Sequence, residues 1–141
     1  MNSSSTEDIV ETSKSGAPRV LIVDDAATIR LYHRGLIEAA GFEAHEAANG
    51  LEALETALRL SFDLFLVDVN MPEMNGYRFL EEARRTPQLS AVPAVMISTE
   101  AKDCDREQAF AAGANLYCVK PIQPDAFADL MTLLLEGRAN D

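Results

Sequence analysis

Val20-Leu21-Ile22-Val23-Asp24-Asp25 is the stretch that decides the fold. Four apolar residues run without interruption, the pattern of a strand buried on both faces, and they stop abruptly at two carboxylates. The same texture returns downstream. Leu64-Phe65-Leu66-Val67 ends in Asp68, Ala94-Val95-Met96-Ile97 ends in Ser98, and Leu116 to Val119 ends in Lys120-Pro121. Phe42 to Ala47 reads as a further strand.

Helical spacing fills the gaps between these runs. Ile29, Tyr32, Leu36 and Ala40 share one face of a first helix, which Gly41 stops. Asn49-Gly50 opens a second helix with Leu51, Leu54 and Leu58 inward. Asn75-Gly76 opens a third that buries Phe79, Leu80 and Ala83, with Arg84 and Arg85 facing its own negative end. A more polar helix runs from Lys102 to Ala112 and stops at Gly113. Pro124 starts the last, with Phe127, Leu130, Met131 and Leu134 inward. Five β-α units with two-sided apolar strands predict an α/β fold, a doubly wound five-stranded parallel sheet; the order expected for it is 2-1-3-4-5, the flavodoxin-like one of the two common arrangements.

The chain has 141 residues and a formal net charge of −11, from 12 Lys+Arg against 23 Asp+Glu. That excess disfavours nucleic acid and anionic membranes as partners and suits a divalent cation or a basic protein surface. Residues 1–17 hold five serines and two threonines and little to bury, so they are expected to be a disordered tail, with one domain spanning 18–141. No basic and apolar leader opens the chain, and no apolar run approaches the ~20 residues that cross a bilayer, which points to the cytoplasm. Cys104 and Cys118 show neither disulfide nor metal spacing and are read as packing residues. His33 and His45 are read as satisfied structural histidines away from the acidic strand ends.

Ligands of open α/β sheets bind beyond the carboxyl ends of the strands, where strand order reverses. In the order 2-1-3-4-5, Asp24, Asp25, Asp68, Ser98 and Lys120 converge on that edge. Three neighbouring carboxylates repel one another unless a cation compensates, and oxygen-only donors suit Mg²⁺. A carboxylate beside such an ion can act as a nucleophile toward phosphorus, with Lys120 as a point charge and Ser98 as a hydrogen-bond donor to phosphoryl oxygens. A phosphohydrolase with an aspartate nucleophile is the enzymatic rival. It needs a second aspartate two residues on as general acid, and Asn70 stands there. A flavin binder is a weaker rival, because Asp24-Asp25 would repel the flavin phosphate.

LIVDD at 21–25, LVDVNMPEMNGY at 66–77, VMISTEA at 95–101 and YCVKPI at 117–122 resemble the receiver domain of bacterial response regulators. The likeness runs from Arg19 to Glu136, and the layout is similar to that of stand-alone, chemotaxis-type regulators, since only Gly137 to Asp141 follow the last helix. The resemblance implies a two-component phosphorelay protein: a signalling switch rather than an enzyme, phosphorylated on Asp68 by a sensor histidine kinase or a histidine phosphotransfer protein. It implies Mg²⁺ held by Asp24, Asp25, Asp68 and the backbone carbonyl of Asn70, with Lys120 and Ser98 completing the chemistry. Ser98 and Tyr117 would form the switch, Asn70 and Glu100 would tune phosphoryl lifetime, and Thr99 would narrow access to Asp68. A cis bond is expected between Lys120 and Pro121. The output would pass by protein contact, through helix 4, strand 5 and helix 5, to a downstream target such as a flagellar motor component or another signalling protein. A phosphorelay shuttle or a phosphate sink would have the same site.

Overall fold

A computed structural model describes residues 16–99 and 103–136. Five strands alternate with five helices: β1 (Arg19–Val23), α1 (Ala27–Ala39), β2 (Glu43–Ala47), α2 (Gly50–Arg59), β3 (Leu64–Asp68), α3 (Gly76–Arg85), β4 (Ala94–Ser98), α4 (Asp103–Ala112), β5 (Leu116–Val119) and α5 (Pro124–Met131). A π-helical turn, Thr132–Glu136, prolongs α5. All pairings are parallel, as the alternation predicts, and the sheet has the expected order β2-β1-β3-β4-β5. The expected tail (all but Gly16 and Ala17), the Lys102 start of the fourth helix, and Gly137 to Asp141 lie outside the described residues.

The pleat sorts side chains into two cores, because successive residues of a strand face opposite sides. Leu21, Val23, Phe65, Val67 and Met96 pack with Ala53, Ala57, Phe79, Leu80 and Ala109 on one side. Val20, Ile22, Leu64, Leu66, Val95 and Ile97 pack with Ile37, Phe127, Met131 and Leu135 on the other. Two-sided burial holds for β1, β3 and β4 but not for the edge strands. In β2, Glu43 and Glu46 stay partly exposed and bind Arg19, Arg30 and Arg34.

Helix faces are the main departure from expectation. In α1 the fully buried residues are His33 and Ile37, while Tyr32 and Ala40 are exposed. In α2, Leu51 and Leu58 are exposed, and Ala53, Thr56 and Ala57 face the sheet instead. Small residues let the helix backbone lie close over the strands, so size rather than apolarity chose the inward face. Arg84 does not serve its own helix end: its Nε and Nη2 donate to the Gly113 carbonyl, at 3.0 and 2.8 Å, tying α3 to the end of α4. Asn49 and Asn75 are side-chain N-caps, accepting from the amides of Glu52 and Arg78. Cys118 packs against the core, but Cys104 is exposed, contrary to its reading as a packing residue. Among the described residues no helix is long and apolar enough to cross a membrane.

Candidate functional site

The chain leaves β1 for β2 on one side and returns to β3 on the other, so the carboxyl ends of β1 and β3 flank the switch point. Asp24, just beyond β1, is fully buried; Asp68, the last residue of β3, is 4% exposed; Asp25 is exposed. One oxygen from each lies within 4.8 Å of the others. Asp24 is fixed by its local turn: Oδ1 accepts from the Ala26 amide at 2.9 Å, and its carbonyl accepts from Arg30 Nη1 at 2.7 Å.

Lys120 closes the cluster from β5. Its ammonium sits 2.9 Å from Asp68 Oδ1 and 3.0 Å from Asp24 Oδ2, with 12% of the side chain exposed. Its backbone amide donates to the Ser98 carbonyl at 2.7 Å, and the bond to Pro121 is cis, as expected. Lys120 is the one partner of Asp24 Oδ2 among the described residues, so that buried carboxylate oxygen keeps acceptor capacity.

Electrostatics follow from three acids facing one ammonium. Burial pushes the Asp68 carboxyl up to about 6; the Lys120 hydrogen bond opposes this, and the charges of Asp24 and Asp25 add to it. Burial alone would lower Lys120, but its bonds to Asp68 and Asp24 prevail and hold it above the ordinary lysine value.

The other expected residues divide. Ser98 is buried at the end of β4, beside β3 and β5, on the same edge. Tyr117 is buried in β5, with the Arg106 guanidinium 5.1 Å from its ring centroid. Asn70 and Thr99 are exposed in the loops after β3 and β4, and Glu100 lies outside the described residues. His45 is structural: Nε2 is 2.7 Å from Glu43 Oε2 and its ring meets Phe62 edge-on.

His33 requires a correction. It is fully buried with neither ring nitrogen hydrogen-bonded, and it feels the charges of Asp24 and Lys120, so it is neither satisfied nor remote from the acidic edge. Desolvation pushes its imidazole down to about 4, so it is neutral at physiological pH. Arg30, the clamp on the Asp24 carbonyl, was not anticipated either; its place in the first turn of α1, six residues after Asp24, was the available signal.

The sequence profile described as the response regulator receiver domain matches residues 20–132. The chain is 36% identical over 105 residues to the transcriptional regulatory protein SrrA of Staphylococcus aureus, covering 74% of this chain and 42% of that protein. It therefore spans less than half the length of the curated relatives it matches first. Among solved structures, the Vibrio cholerae chemotaxis protein CheY4 superposes with a TM-score of 0.81 at 34% identity, covering 85% of this chain and 100% of that one. The receiver domain of the sensor histidine kinase PA1611 from Pseudomonas aeruginosa, described with a magnesium ion in its active-site cleft, shares the fold at a TM-score of 0.80 and 24% identity, over 86% of this chain and 99% of that one.

Proposed function

The chain belongs to the response regulator receiver domain family, a family of two-component signalling switches, and from that premise we propose that Asp68 is its phosphoacceptor. The observation that carries this reading is the ammonium of Lys120 bridging Asp68 and Asp24 at 2.9 and 3.0 Å. A bare nucleophilic carboxylate is thereby held beside the cation that offsets charge developing on a phosphoryl group.

The donor set fits Mg²⁺. Three carboxylates against one ammonium leave two formal negative charges, equal to one divalent ion, and Asp24 Oδ2 has acceptor capacity to spare. Asp24, Asp25, Asp68 and the Asn70 carbonyl would hold it, and when bound it supplies charge neutralisation and orientation of the phosphoryl oxygens. In the transfer, an Asp68 carboxylate oxygen bonds to phosphorus, the P–N bond to a donor histidine breaks, and the imidazole leaves with the electron pair. Lys120 pairs with one phosphoryl oxygen, and the Ser98 hydroxyl donates to another. Ser98 and Tyr117 then bias the α4–β5–α5 surface toward a partner protein. Asn70 and Glu100 tune phosphoryl lifetime, and Thr99 gates access to Asp68. The donor is a sensor histidine kinase or a histidine phosphotransfer protein, and residues 18–141 form a cytoplasmic receiver.

Native mass spectrometry after incubation with acetyl phosphate and Mg²⁺ tests the assignment. One phosphoryl group is expected on the wild type and none on Asp68→Asn; a gain that persists in the variant overturns it.

A further inference from the structure

We infer that Tyr32, on α1, is a positioning residue for Lys120, an inference that rests on the phosphoacceptor reading of Asp68. The Tyr32 hydroxyl donates to the Ile122 carbonyl at 2.8 Å, a contact between residues 90 apart in sequence. Ile122 is 2% exposed and lies two residues beyond Lys120, across Pro121. Proline has no N–H to give, so a carbonyl on the next residue is a natural handle for this loop. At one end of the loop the Lys120 amide is fixed on the Ser98 carbonyl; at the other, α5 begins as the Phe127 amide donates to the Gln123 carbonyl. Tyr32 fastens the middle to α1. Its ring is braced edge-on against His33 at 5.3 Å, and His33 is fully buried.

Lys120 is a flexible point charge whose usefulness depends on where its backbone is held. Its two ion pairs are made from this loop, so slack in the loop becomes misplacement of the ammonium relative to Asp68. Asp68 ends β3, and Asp24 and Asp25 both sit in the turn after β1, neither of which Tyr32 holds. Phosphoryl transfer should therefore be sensitive to the Tyr32 hydroxyl while Mg²⁺ binding is not.

Tyr32→Phe removes only that hydroxyl. With acetyl phosphate and saturating Mg²⁺, labelling of Asp68 is expected to slow on the order of three- to tenfold, the span that one net hydrogen bond covers. Mg²⁺ affinity by calorimetry should stay within about twofold, well inside the energy of one hydrogen bond. The carbonyl ¹³C resonance of Ile122 should move in the unphosphorylated, metal-free protein. Equal labelling rates overturn the inference, as do an unmoved Ile122 resonance or a fall in Mg²⁺ affinity parallel to the rate. If the wild type takes no phosphoryl group on Asp68, the functional reading fails and the role of Tyr32 falls with it, even where the Ile122 resonance moves.

Discussion

Asp68→Asn should change how stability depends on pH, and the sign is fixed by two buried groups with opposite shifts. Asp68 is pushed from 3.8 up to about 6 in the folded chain. Its contribution to stability is thus fully present below the unfolded value and is lost as pH rises through about 6. At about 1.36 kcal/mol per pH unit, this amounts to about 3 kcal/mol. His33 moves the other way, from 6.5 down to about 4, so its contribution is present above 6.5 and is lost as pH falls through about 4. That too is about 3 kcal/mol. Between pH 4 and 6 the two slopes nearly cancel in the wild type.

Removing either member unmasks the other. Relative to wild type, metal-free Asp68→Asn should gain about 2 kcal/mol of stability between pH 4 and pH 7. His33→Leu should show the opposite trend, losing stability relative to wild type over the same range. Groups common to all three proteins drop out of these differences. The assay is urea unfolding followed by far-UV circular dichroism in excess chelator, since the chain has no tryptophan. With Mg²⁺ in excess, the Asp68→Asn advantage should shrink, because a cation offsets the repulsion that raises the carboxyl. A difference between Asp68→Asn and wild type that stays flat from pH 4 to pH 7 refutes the reasoning.

Two glycines should respond to alanine with opposite signs. At Gly76 a Cβ would meet the Asp68 carbonyl oxygen and come 3.1 Å from Val67 Cγ1, so Gly76→Ala should cost about 2–3 kcal/mol in urea unfolding and slow Asp68 labelling. At Gly35, inside α1, nothing lies within 4 Å, and Gly35→Ala should stabilise by about 0.5–1 kcal/mol. Arg84→Ala leaves the Gly113 and Leu89 carbonyls without their guanidinium donor and should cost about 1–2 kcal/mol. Arg84→Lys should recover less than half of that, because an ammonium cannot reproduce the fork.

The sheet and its acidic edge were legible because both depend on sequence-local facts. An apolar run such as Leu64 to Val67 cannot be solvated, and the first polar residue after it, Asp68, must emerge at the strand end. Order 2-1-3-4-5 then brings together charges that are far apart in the chain. Helix faces were legible where large apolar residues mark them, as with Phe79 and Leu80 of α3, which carry Ala83 on the same face, or Phe127 and Met131 of α5. Over the edge half of the sheet the inward positions are Ala53, Thr56 and Ala57 of α2 and His33 of α1. Periodicity weighs hydrophobicity and so passes over an alanine or a histidine in favour of a neighbouring leucine, whereas the fold selects for the volume that fits between helix and strand. His33 shows why this mattered for the site. Ile37, one turn further on, marks its face as inward, and an inward residue of α1 comes within range of Asp24 and Lys120. Reading it as a neighbour of the apolar face removed from view the one buried imidazole whose protonation opposes that of Asp68. Tyr32 was missed for the complementary reason. As part of an apolar stripe it is a failed core residue, but as a half-exposed ring with a hydroxyl it links α1 to the loop that carries Lys120.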